Sequence, residues 1–112
     1  MSPRLDRPLV LEAQSRLPDG AGGMSVTWEV LGTLWAEVRH GAGRETGSDL
    51  VPLAVQIVSV TVRAAPESSL ARPRPGQRFV DGARRYRVLG VAEALTAGSL
   101  YLTCQCSEEV AP

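Results

Sequence analysis

The chain has no lysine, a single histidine and few aromatic residues. Its 112 residues carry 12 basic and 12 acidic side chains, and every basic one is arginine. The formal net charge of zero lacks the basic excess that a protein coating nucleic acid needs. Arginine suits polar contacts between proteins instead, because its planar guanidinium binds carboxylates through two hydrogen bonds. With aromatic residues at 4% of the chain, the core must consist mainly of valine, leucine and alanine.

The sequence also lacks the features of membrane and metal proteins. No apolar run is long enough to cross a bilayer, and the first residues lack the apolar core of a secretory signal, which predicts a protein made in the cytoplasm. Cys104 and Cys106 would point to one face of a strand, as two small buried side chains in a reducing compartment. A metal site would need more ligands, and His40 is the only histidine. We therefore expect no metal and no cofactor.

No group of residues in the sequence suggests catalysis. The glycine-rich residues 20–23 lack the lysine and the following helix of a phosphate-binding loop. His40 stands alone in a glycine-flanked segment, so it is predicted to be a solvated loop residue rather than the base of a triad. The acidic residues fall singly on the predicted outer faces of strands, which does not favour paired-carboxylate chemistry. These absences predict that the chain is not an enzyme.

Apolar and polar residues alternate along most of the chain, which predicts strands. Gly32 and Thr33 are expected to bend the chain between two of them, and Asp81-Gly82 is a strong hairpin signal between apolar runs. Residues 53–57 fit either a strand or a short helical turn. The predicted strands cover residues 9–16, 25–31, 34–39, 53–63, 79–80, 84–91 and 100–106. The fold class that follows is all-β, a small antiparallel barrel or sandwich of about six strands.

The length predicts one domain over residues 1–112. Its irregular parts are an extended arm (1–8), two long loops (41–52 and 64–77) and a tail (108–112). Alternation also places Leu100 inward and Tyr101 outward. The residues predicted to be buried are Leu11, Val30, Ala36, Val60, Val62, Tyr86, Val88, Leu102 and Cys104.

Two arginine-rich segments are candidate interaction sites. In the predicted strand that contains Arg85 and Arg87, both side chains point outward. They form either a charged face that prevents edge aggregation or anchors at a contact between subunits. Arg72 and Arg74 alternate with prolines, which is typical of a stiff solvated loop; the alternative is a basic tip near DNA or an acidic partner surface.

The loop at 41–52 is the third candidate. It is rich in glycine and nearly free of apolar anchors, so it is either disordered or becomes ordered on docking to a neighbour. The charged residues that could then contact another subunit or line a channel are Arg39, Arg44, Glu45 and Asp49.

Several short motifs, taken together in their order along the chain, resemble the head–tail joining (head-closure, or stopper) family of tailed phages. Within that family they are most similar to the head–tail adaptors of alphaproteobacterial gene transfer agents. The motifs span most of the chain, and their joint order is more specific than any one of them. They are Trp35-Ala36-Glu37-Val38, Gly43-Arg44-Glu45, Arg63, Phe79, Asp81-Gly82, Tyr86-Arg87-Val88 and Leu100-Tyr101-Leu102-Thr103-Cys104.

The resemblance implies a structural ring component without catalytic activity. Such a ring sits in the neck of a phage-like particle after assembly in the bacterial cytoplasm, connects the portal to the tail, and extends and closes the DNA channel after packaging. The implied partners are further copies of the chain, a portal-side adaptor, a tail-side terminator and double-stranded DNA that passes without sequence recognition. No membrane is involved. The alternative is a small β-barrel module that binds a protein ligand or single-stranded nucleic acid. The latter needs an exposed aromatic platform, for which Trp35 and Tyr101 are the candidates.

Overall fold

The computed structural model describes residues 2–40 and 56–109, and these form a closed barrel of antiparallel strands. The predicted loop at 41–52, with Arg44, Glu45 and Asp49, lies outside the described residues, as do residues 53–55. Neighbouring strands follow the order β1-β2-β3-β6-β5-β4, and β4 closes the ring by pairing with β1. The strands are β1 (Arg7–Pro18), β2 (Met24–His40), β3 (Gln56–Arg63), β4 (Arg78–Asp81), β5 (Arg84–Thr96) and β6 (Ser99–Glu109). The predicted all-β class and the barrel are confirmed.

The barrel core consists of the inward-facing side chains of all six strands. Every residue predicted to be buried is buried except Val30, and Cys106 is buried beside Cys104 as their spacing predicts. Tyr86 and Phe79 are the largest side chains that are fully buried, so two aromatic rings supply much of the core volume. The remaining core is aliphatic or thiol: Leu9, Leu11, Ala36, Val58, Val60, Val62, Val88, Leu102, Cys104 and Cys106.

The prediction that Val30 is buried was wrong, because β2 contains a bulge. Leu11 pairs with Gly32 and Glu12 pairs with Val30, which leaves Leu31 without a partner. One extra residue reverses the alternation of side chains along a strand. Leu31 therefore packs against the core, while Val30 turns to the outer face and is 62% exposed. The expected break at Gly32 and Thr33 is this bulge within one continuous strand.

A second bulge and a hairpin account for the other differences at β5 and β6. The register of β5 and β6 shifts between Val88 and Gly90, and Leu89 is exposed. Leu100 was predicted to face inward, but it pairs with Leu95 beyond the closed part of the barrel and is also exposed. Tyr101 belongs to the outer face but is buried. The guanidinium carbon of Arg63 lies 5.7 Å from the centre of its ring.

The two tight hairpins use different turns. Asp81 pairs with Arg84, so the central turn residues are Gly82 and Ala83 rather than the predicted Asp81 and Gly82. Only Gly82 has a positive φ there, at 61°, which is the pattern of a type II′ turn. In the β5–β6 hairpin, Ala97 (φ 52°) and Gly98 (φ 80°) are both left-handed, as in a type I′ turn.

Two strand pairs continue beyond the closed part of the barrel. β1 meets β4 only over Val10–Glu12, and β2 meets β3 only over Ala36–His40. Residues 13–30 therefore form a β1–β2 extension, and residues 89–100 form a β5–β6 extension. β1 and β5 run in the same direction, because each is antiparallel to β4. Both extensions thus project from one end of the barrel. We call the opposite end, where β2 ends and β3 begins, the rim.

Candidate functional site

Three charged or titratable side chains from three strands meet at the rim. Nη1 of Arg84 lies 3.1 Å from Nε2 of His40. The Glu108 carboxylate lies 3.6 Å from Arg84 Nη1 and 3.7 Å from His40 Nε2. His40 is therefore the last residue of β2 and part of a polar cluster, and the prediction that it lies in a loop was wrong, although its side chain is exposed as predicted. Glu108, which the sequence placed in a tail, belongs to β6.

The rim cluster covers the end of the core at Tyr86. This residue is fully buried, and the His40 ring meets it edge-on with 6.2 Å between ring centres. Burial raises the pKa of the Tyr86 phenol, so the phenol stays neutral under ordinary conditions. The cluster pairs an arginine with a glutamate around a histidine, and it can make polar contacts with a chain docked on the rim.

The connection between β2 and β3 leaves and re-enters the barrel at this cluster. His40 pairs with Val58, and Gln56 pairs with Glu108, so both flanks of residues 41–55 lie at the rim. Arg39 is exposed next to His40, and its Nε lies 3.3 Å from Oε1 of Glu37. The structure thus places Arg39 at the rim.

Arg85 and Arg87 both lie on the outer face of β5, on the side opposite to the buried Tyr86. The Arg85 guanidinium donates to the carbonyl oxygen of Ala83 at 3.3 Å. Arg87 forms an ion pair with Glu109 at 3.1 Å. Both arginines are partly exposed, and Arg87 is already paired within the chain.

Trp28 joins the β1–β2 extension to the barrel wall through stacked arginines. The Arg78 guanidinium carbon lies 3.9 Å from the centre of the Trp28 ring system, and that of Arg87 lies 5.1 Å away. Arg78 Nε also donates to Oε1 of Glu12 at 2.7 Å. No sequence pattern indicates this cluster, because only the β1–β4 register brings Glu12 opposite Arg78.

The loop at 64–77 holds its two arginines differently. Arg72 is mostly buried, donates to the carbonyl oxygen of Ala65 at 3.0 Å and lies 3.6 Å from Glu93, while Pro73 is fully buried. Arg74 is exposed and contacts the carbonyl oxygen of Glu67. Arg74 is thus the more accessible of the two for an outside partner.

The two aromatic residues considered for a stacking platform do not share an exposed surface. Trp35 is largely exposed on the outer face of β2, whereas Tyr101 is buried. Residues 2–40 and 56–109 contain no group of three or more histidine, cysteine or acidic side chains placed to hold a metal ion. The same ranges contain no helix that could cross a membrane.

A family model described as phage head completion protein matches residues 1–109. The chain belongs to this family. Among solved structures, a chain from the virion of a native gene transfer agent (GTA) particle is 47% identical to it with a TM-score of 0.79. The match covers 99% of this chain and 100% of that one. No curated protein matches the chain.

Membership in the phage head completion family confirms the resemblance inferred from the sequence motifs. It identifies the chain as a structural component of phage-like particles. The surfaces described above are therefore of interest as contacts in an assembly. They comprise the rim, the arginines of β5 and the loop at 64–77, and the two extensions.

Proposed function

We propose that the chain forms a ring in the neck of a phage-like particle, between the portal side of the capsid and the tail. There it extends the DNA channel and closes it after packaging. The observation that carries this proposal is the family match over residues 1–109, supported by a neighbour of nearly identical length from a gene transfer agent virion. The role is mechanical and needs no catalysis. The chain is made in the bacterial cytoplasm and then joins the particle.

The proposed partners are further copies of the chain, a portal-side adaptor and a tail-side terminator. DNA passes through the ring without sequence recognition. In support, basic and acidic residues are equal in number, and several surface arginines are neutralised within the chain. Arg7 is paired with Asp81, and Arg87 with Glu109. Arg74 and Arg85 are the accessible candidates for contacts with DNA or a partner, whereas Arg72 would have to leave its contacts with Ala65 and Glu93.

We further propose that the segment at 41–52 lines or closes the channel. Its glycine-rich composition is nearly free of apolar anchors, and both of its flanks lie at the rim. In a ring whose rim faces the channel, Arg39, Arg44, Glu45 and Asp49 could pair across subunits. Ordering such a segment costs about 1–2 kcal/mol per residue, which contacts with neighbouring copies would have to offset.

Removal of the gene from the producing cell tests the proposal. We expect DNA-filled capsids that lack tails or lose DNA, and tailed particles again when the gene is restored. Cryo-electron microscopy of the restored particles should show the barrel repeated around the axis between portal and tail. Intact tailed particles without this chain, or the barrel found elsewhere in the particle, would contradict the neck role.

A further inference from the structure

We propose that neighbouring copies of this chain join through their extensions: the β1–β2 extension of one copy lies against the free edge of β5 in the next. The inference rests on the proposed ring function and names the contact that closes the ring.

The β1–β2 extension presents apolar side chains and an unprotected strand edge. Met24, Val26 and Val30 lie on its outer face and are 58%, 46% and 62% exposed. From Met24 to Leu34, β2 pairs with β1 and with no other described strand. This stretch contains no proline or lysine, which often protect free edges, and its only charged residue is Glu29. Such an edge is a template for pairing with another chain.

The edge of β5 is a second, different surface of the same kind. From Leu89 to Thr96, β5 pairs only with β6 among the described strands, because β4 ends its pairing at Arg87. Leu89 and Leu95 are exposed there, Leu95 by 74%. Among the described strands, neither edge has a second partner beyond these pairings, and each exposes apolar side chains that a neighbour could cover.

The position of the two surfaces fits a ring. In the closed order of strands, two strands separate β2 from β5 in either direction, so the surfaces stand on opposite sides of the barrel. Because the extensions project from the same end, they lie at a similar height along the barrel axis. Two unlike surfaces on opposite sides give a head-to-tail contact, which closes into a ring when the rotation between copies is suitable. Contact surfaces at a similar height favour a closed ring over a helical filament.

Few charges lie on the two edges. Glu29 is the only charged residue in residues 24–34, and Glu93 is the only one in residues 89–96, where Nη2 of Arg72 lies 3.6 Å from its carboxylate. A contact between the edges would therefore bury few charges. The formal net charge of zero also means that copies of the chain do not repel one another strongly.

Cysteine cross-linking in assembled particles tests the contact. Thr27→Cys and Ala92→Cys place thiols on the two exposed edges, while the native Cys104 and Cys106 are buried. With a short bismaleimide, the double variant should give a ladder of species larger than dimers, and each single variant should stay monomeric. Dimers from a single variant would reveal a back-to-back contact and overturn the inference.

Charged substitutions give an independent readout. Because both sites are exposed, Met24→Asp/Val26→Asp should keep the wild-type circular dichroism spectrum. Recovery of the variant chain in purified particles should fall at least about tenfold. Trp35→Asp is the matched control, because Trp35 is 57% exposed on the outer face of β2 and lies outside both extensions and the rim. We expect wild-type recovery for this control.

The outcomes separate this inference from the proposed function. If wild-type particles hold the chain in the neck but the double cysteine variant stays monomeric, or if Met24→Asp/Val26→Asp is recovered like the wild type, only the named contact is wrong. If purified wild-type particles lack the chain, the ring function fails and the contact with it.

Discussion

Cys104 and Cys106 occupy successive inward positions of β6 and lie in the dry core. Burial raises the pKa of Cys104 to about 12, and it also raises that of Cys106. In the unfolded chain the thiols have their usual pKa of about 8.5. Between about pH 9 and pH 12 the folded state therefore holds more protons, so its stability falls as the pH rises. The fall reaches at most about 1.4 kcal/mol per pH unit for each thiol.

Urea unfolding at about pH 7.5 and about pH 10.5 measures this effect. We expect Cys104→Ala/Cys106→Ala to be less stable at the lower pH, because it loses packing, but to lose less stability between the two pH values than the wild type. Tyr86 is present in both proteins and cancels in the comparison. Equal losses in both proteins would contradict the prediction. Zinc that is bound by the wild type and lost in the double variant would also contradict the prediction.

Ala97 is the only described non-glycine residue with a positive φ, at 52°. A left-handed backbone costs an alanine about 1–2 kcal/mol, and asparagine tolerates it better. We expect Ala97→Asn to raise the free energy of unfolding by about 0.5–1 kcal/mol, measured by chemical denaturation. Ala83→Asn is the matched control, because Ala83 occupies the other two-residue turn without a positive φ. A similar gain in both variants would contradict the backbone explanation.

At the scale of elements, the Trp28 stack fixes the base of the β1–β2 extension. Arg78→Lys keeps the charge but loses the planar group that stacks on Trp28 and binds Glu12. We expect a loss of about 1–2 kcal/mol in unfolding free energy and a red shift of tryptophan emission, as Trp28 becomes more exposed. Arg85→Lys is the control, since among the described residues the Arg85 guanidinium forms a hydrogen bond only with the backbone carbonyl of Ala83. An unchanged emission spectrum in Arg78→Lys would show that the stack does not hold the extension.

Sequence patterns predicted most strands and nearly all of the core, because side-chain alternation follows directly from strand geometry. They failed at Leu31 and Leu89, where the bulges depend on the register with the partner strand. One such residue was enough to turn Val30 outward. The rim cluster was not predictable for a similar reason. His40, Arg84 and Glu108 are far apart in the sequence, and only closure of the barrel brings them together.

At the scale of the whole molecule, the barrel has two chemically different ends. One carries the extensions with exposed apolar residues, and the other carries the polar rim with both flanks of residues 41–55. In the proposed ring, the chain would need contacts with its neighbours and a separate surface toward the channel. The two ends would provide these two surfaces from different parts of one small fold.

The proposed role of the segment at 41–52 in the channel can be tested by shortening it. Deletion of Thr46 to Asp49 removes residues between the two rim flanks, none of which has a large apolar side chain. We expect the isolated variant to keep the wild-type circular dichroism spectrum and thermal midpoint. Particles that carry it should leak DNA or fail to join tails, as measured by nuclease-protected DNA per capsid and by electron microscopy. If particles with the deletion of Thr46 to Asp49 keep their DNA and carry functional tails, the segment is a connector without a role in the channel.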